Sequence, residues 1–149
     1  MKPLAVVVAF AAFFVASPVF SQTMPSFTVA KCDVDAVTFS SVRLPKAVLA
    51  NGRPLAAGTY DVRITTEHPA AAVGQSPNAE CWVEFVENGV VAGREVASMV
   101  SSKDIGEVAK EAEPKPNASR VDVLKGGDYV RVWMNGVGTH YFVNMPIAP

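Results

Sequence analysis

The chain has 149 residues, half of them apolar, with 13 lysines and arginines against 14 aspartates and glutamates. That length supports one domain with its own core, and the balanced charge excludes the basic footprint of a nucleic-acid-binding protein. Disorder is excluded by the apolar content, although residues 1–21 carry a large share of it, including four of the eight phenylalanines.

In chain order, the first feature is Met1-Lys2-Pro3, followed by an unbroken apolar run from Leu4 to Ala16 and a small-residue exit, Ser17-Pro18-Val19-Phe20-Ser21. A basic start, a short apolar stretch and a small-residue site form the pattern of a cleaved secretory signal. As a helix the run would span about 20 Å, short of the roughly 30 Å of a bilayer core, which argues against a membrane anchor. The expectation is a signal peptide over 1–21 and one mature domain over 22–149, periplasmic or secreted and free of the membrane after cleavage. In an oxidising compartment the two cysteines, Cys32 and Cys81, read as a disulfide, since their spacing fits no C-x-x-C redox or zinc motif.

The mature chain reads as short β-rich runs: Phe27 to Cys32, Val37 to Leu44, Ala47 to Leu49, Thr59 to Thr65, Glu80 to Val86, Val90 to Met99, Arg120 to Lys125, Tyr129 to Met134 and His140 to Met145. Asn51-Gly52, Ala57-Gly58, Asn88-Gly89, Gly126-Gly127 and Asn135-Gly136 supply turns between several of them. Eight or nine strands so spaced predict an all-β domain, either an antiparallel sandwich or a small barrel. Two stretches interrupt the pattern. Residues 66–79 form a long loop with Pro69, Gly74 and Pro77; residues 102–112 place Ile105, Val108, Ala109 and Ala112 at helical spacing. Ser101 or Ser102 is the expected cap of that short helix, which Gly106 weakens and Pro114 ends.

Register can be assigned where turns pin it. A hairpin at Gly126-Gly127 sets Arg120 opposite Trp133, Asp122 opposite Arg131 and Leu124 opposite Tyr129; a loop centred on Gly136-Val137 then sets Trp133 opposite His140 and Val132 opposite Tyr141. One face is apolar, with Val121, Val123, Val130, Val132, Met134, Tyr141, Val143 and Met145. The other carries Arg120, Asp122, Leu124, Tyr129, Arg131, Trp133, His140, Phe142 and Asn144. On it, Arg120 is expected to stack on Trp133 and Asp122 to pair with Arg131. Arg120, Tyr129, Arg131, Trp133, His140 and Phe142 are therefore the candidate surface for a small ligand or a protein partner. The favoured reading of the face itself is that the amphipathic segment from Ile105 to Ala112, or another strand, covers these aromatics as a second small core. In the middle hairpin, a turn at Asn88-Gly89 pairs Phe85 with Ala92 and Val83 with Arg94, a mismatch that a bulge near Gly93 would repair.

Catalytic signals are sparse. There are two histidines, His68 in the long loop and His140, with no G-x-S-x-G elbow, metal-ligand spacing or phosphate-binding glycine loop. No cofactor or metal is expected, and a non-enzymatic binding module is the leading reading. An exported inhibitor that inserts loop 66–79 into a hydrolase is the second, and a small hydrolase using His140 the third.

The run Asn51-Gly52-Arg53-Pro54-Leu55-Ala56-Ala57-Gly58-Thr59-Tyr60-Asp61-Val62 resembles the N-G-x-x-L-x-A-G-T-Y-x-V hairpin of small exported bacterial all-β proteins. The resemblance implies fold and export, and brings no catalytic residue with it.

Overall fold

The computed structural model describes Cys32, residues 37–76 and residues 79–149; the expected strand from Phe27 lies outside these apart from Cys32. Among the described residues nine strands form: β1 (Thr38–Leu44), β2 (Val48–Ala50), β3 (Arg53–Leu55), β4 (Gly58–Ile64), β5 (Glu80–Glu87), β6 (Val90–Ser101), β7 (Ser119–Val123), β8 (Tyr129–Gly136) and β9 (Thr139–Pro146), with one helical turn, α1 (Ile105–Val108), between β6 and β7. The all-β expectation therefore holds. Seven strands make one antiparallel sheet in the order β1-β4-β5-β6-β9-β8-β7, which curls until β1 and β7 touch, nearly closing a barrel. The separate β2–β3 hairpin lies beside β6 and β9.

Alternation fills the interior. Tyr60, Val62 and Ile64 of β4, Cys81, Val83 and Phe85 of β5, Val130, Val132 and Met134 of β8, and Tyr141, Val143 and Met145 of β9 all point into one buried cluster. Two bulges keep this parity where the spacing would break it. In β1, Phe39 and Val42 are three residues apart yet both buried, because Phe39 pairs with Val62 and Val42 with Tyr60 while Ser41 takes φ 57°. In β6, Val91 pairs with Val86 and Gly93 with Phe85, so Ala92 is the extra residue and the expected bulge is present; it moves Arg94 opposite Glu84 but sets Glu95 opposite Val83, so one charge still falls on that face. Gly93 then lies beneath the β2–β3 hairpin, whose Leu55 and Ala50 side chains leave little room for a Cβ. The hairpin is also tied to the C-terminal tail through a bridge from Val48 to Ile147 and an Ala148 N–H donated to Ala47 O at 2.9 Å.

Four expectations are corrected. β3 forms where no strand was expected: the type I′ geometry of Asn51 and Gly52, both at positive φ, turns Ala50 directly opposite Arg53. The β8–β9 hairpin turns at Val137-Gly138, one residue later than expected, so Trp133 pairs with Phe142 and Asn135 with His140. A slip of two residues keeps side-chain parity, so both faces retain their expected members. Val123, expected inside, is exposed near the end of edge strand β7. The expected helix shrinks to one turn. Asp104, not a serine, is its N-cap without a side-chain hydrogen bond, and Ala109 is already extended at φ −123° and ψ 133°.

Candidate functional site

β6 and β7 are consecutive strands of the large sheet in sequence but are separated by β9 and β8 within it. Residues 102–118 must therefore cross the outer faces of those two strands, and they form a strap over the candidate surface. Its entry is fixed by Ser102 N–H to Gly138 O at 3.1 Å, its exit by Asn117 N–H to Asn135 O at 2.7 Å and Asn135 N–H to Ala118 O at 3.0 Å. Asn135, a buried polar residue, donates its side-chain amide to Pro114 O at 2.7 Å.

Beyond α1 the strap leaves the helix at Ala109, which is extended, and Ala109, Glu111 and Glu113 are all brought against the sheet. Ala109 packs on Trp133 and Phe142 with Ile105 and Val100; Glu111 lies 3.3 Å from Arg131 Nη2; Glu113 lies 3.4 Å from His140 Nε2. Read as helical, the glutamates would have formed a solvated face. The i, i+2 spacing from Ala109 to Glu113 was the available signal that they instead face the sheet.

The candidate surface thus divides. Trp133, His140 and Phe142 are buried beneath the strap as a second small core, the covered arrangement that the sequence favoured over an open aromatic face. Arg131 is 16% exposed, Arg120 half-buried and Tyr129 exposed. Arg120 does not stack on Trp133. Its Nε donates to Asp122 Oδ1 at 2.9 Å and its Nη1 to Ala112 O at 3.2 Å, while Arg131 lies over the Trp133 ring at 6.0 Å. The expected Asp122–Arg131 pair is present at 3.7 Å.

Trp133 Nε1–H donates to His140 Nδ1 at 3.0 Å, which assigns the imidazole proton to Nε2, facing Glu113. Burial pushes the His140 pKa down, and Glu113 pulls it partly back. Glu111 is held below the usual carboxylate range by its own backbone N–H and then by Arg131. With both ring nitrogens engaged and 1% exposure, His140 meets no solvent and no serine hydroxyl among its hydrogen-bond partners.

Beside the strap a cleft of about 330 Å³ stays open, lined by Ser98, Val100, Val108, Leu124, Arg131, Phe142 and Asn144. Two of the candidate residues, Arg131 and Phe142, line it, with Leu124 and Asn144 of the same expected face; Val108 and Ser98 come from α1 and β6, outside the hairpins that defined that face. Among the described residues, Arg131 Nε is buried without a hydrogen-bond partner. A second cleft of about 340 Å³ lies between the Asn51 turn and the β6 bulge, with Arg53 and Arg94 on its rim.

Elsewhere, Cys32 and Cys81 are disulfide-bonded, and His68 Nδ1 donates to Glu80 O at 2.8 Å. The described part of the 66–79 loop ends in a turn from Ala72 to Gln75 with Val73 fully exposed. Among the described residues no group of three or more His, Cys, Asp or Glu could hold a metal ion, and no helix is long and apolar enough to cross a membrane. Comparison of the chain with protein-family models, with curated proteins and with solved structures finds no significant match.

Proposed function

We propose that the protein is an exported, non-enzymatic binding module that holds a small amphipathic ligand in the cleft between the strap and the outer face of β6, β9 and β8. The observation that carries this reading is the make-up of that cleft. It is concave, at the lower end of the roughly 300–1,000 Å³ range of ligand sites, and mostly apolar around one arginine and two neutral polar side chains. Its floor, Phe142 backed by Trp133, is fixed by packing and by the Trp133–His140 hydrogen bond, as a preformed site requires. Export is supported by the leader pattern and by the disulfide.

The inhibitor reading draws on Val73, which stands clear of the surface. Less in its favour, the loop apex closes on itself through Gln75 N–H to Ala72 O, presenting one side chain instead of an extended segment. A fragment-library titration of the isotopically labelled mature protein, read by amide chemical shifts, separates the two. Saturable shifts clustered at Ser98, Val108, Leu124, Arg131 and Asn144 are expected; shifts confined to residues 66–76, or none in the cleft, would reject the binding-module assignment to this site.

A further inference from the structure

The geometry points to a monocarboxylate with an apolar tail as the class of ligand, its carboxylate taking the Nε/Nη2 edge of Arg131 by exchange with Glu111. This rests on the binding reading above and narrows it.

A guanidinium offers its Nε–H and one Nη–H as a parallel pair that matches the two oxygens of a carboxylate. In Arg131 that edge is half used. Nη2 has Glu111 Oε1 at 3.3 Å and Asp122 Oδ2 at 3.7 Å, both long for charge-assisted bonds, whereas Nε, although buried, has no acceptor among the described residues. The strap's carboxylate therefore touches the arginine at one point where two are available. Glu111 is 46% exposed in its side chain, so it turns out into water readily. Because Asp122 and Glu111 already balance the two arginines, an added anion would leave excess negative charge; a carboxylate that replaces Glu111 would not. The rest of the ligand follows from the walls. Phe142, Val100, Leu124 and Val108 suit an alkyl or aryl tail.

The test is calorimetric titration of the mature, disulfide-bonded protein with sodium octanoate and, separately, with 1-octanol. Octanoate is expected to bind and octanol to bind at least about tenfold more weakly, since it lacks the second oxygen that completes the fork. Glu111→Gln, which removes the competing internal carboxylate from the surface, is expected to tighten octanoate binding several-fold. Arg131→Lys, which keeps the charge and loses the fork, is expected to weaken it by roughly tenfold or more. Should that variant fail to fold, as judged by circular dichroism, Glu111→Gln decides alone. Equal binding of octanol and octanoate, with cleft residues shifted by both, overturns the carboxylate inference and leaves the cleft reading standing. Octanoate binding that Glu111→Gln leaves unchanged or weakens overturns the exchange. Absence of saturable binding by either probe overturns the inference, and the fragment titration then judges the cleft by itself.

Discussion

The indole N–H of Trp133 is donated to Nδ1 of His140, a contact between two side chains that the strap seals from water. Protonating Nδ1 would set two donors against each other, so the buried imidazole resists charge. The sign follows from linkage. In the unfolded chain His140 binds its proton near pH 6.5, whereas in the folded chain burial holds the pKa lower. Between the two values the unfolded chain binds more protons, so this contribution to stability is whole above about pH 6.5 and is lost as pH falls through the interval toward the folded value. We expect urea midpoints of the wild type to drop between pH 7.5 and 5.5, and those of His140→Gln, which can accept from Trp133 without titrating, to drop less. Parallel slopes would remove His140 from the account.

Of the strap side chains that cover the aromatics, Ala109 is the buried one, with Ile105 half-buried beside it. Ala109 sits on Trp133 and Phe142, while the main cluster inside the barrel is a separate body of contacts. Ala109→Asp would bury an unpaired carboxylate there, and the strap should lift instead of paying the desolvation cost. A destabilisation of order 2 kcal/mol is expected with the barrel still folded. In a Trp82→Phe background, iodide quenching of Trp133 should rise sharply. Unchanged quenching would mean that the strap does not control access to this face.

Much of this was legible from local pattern. All eight expected strands that fall on described residues in full are present, and the Gly126-Gly127 hairpin placed Asp122 opposite Arg131 as found. The β8–β9 register moved by two because Gly136 and Gly138 both offer a turn, and side-chain parity is blind to a slip of two. What stayed hidden depends on sheet order. Nothing local says that β9 and β8 stand between β6 and β7, and that arrangement is what lays residues 102–118 across Trp133 and turns a candidate open face into a floor. The same crossing stretches Ala109 to Glu113 out of the helix their spacing suggests, and so brings Glu111 to Arg131 and Glu113 to His140.

Gly93 is where the small hairpin meets the large sheet. A Cβ there would lie 3.3 Å from Leu55 Cδ1 and 3.4 Å from Ala50 Cβ. The leucine methyl can swing away; the alanine Cβ moves only with the β2 backbone. Gly93→Ala should therefore cost about 1 kcal/mol and Gly93→Val more, up to about 3 kcal/mol, by overpacking. Hydrogen exchange should quicken at Val48–Ala50 and Arg53–Leu55 before it does in β8 and β9. Gly58, whose Cβ would meet only Tyr60 ring atoms at 3.5 Å or more, is the control, and Gly58→Ala should stay within about 0.5 kcal/mol. Equal costs at the two glycines would contradict the close approach at Gly93.

The disulfide fastens the start of the described chain to the barrel. Cys32 and Cys81 are both buried, their Cα atoms are 6.1 Å apart, and Met99 of β6 packs against the pair. With a sequence separation of 49, breaking the bond frees a long loop in the unfolded ensemble, worth about 4 kcal/mol in the chain-entropy account. That is a large share of the roughly 5–15 kcal/mol by which such domains are stable. Intact-mass analysis with iodoacetamide should find no alkylation of the native protein and two additions after denaturation with reductant. The urea midpoint of the double variant Cys32→Ala, Cys81→Ala should fall by an amount matching several kcal/mol, with Val83 and Phe85, the neighbours of Cys81 in β5, still buried if the barrel survives. A native protein that takes up two labels would remove the bond, and a double variant as stable as the wild type would show that the barrel does not depend on tying Cys32 to β5.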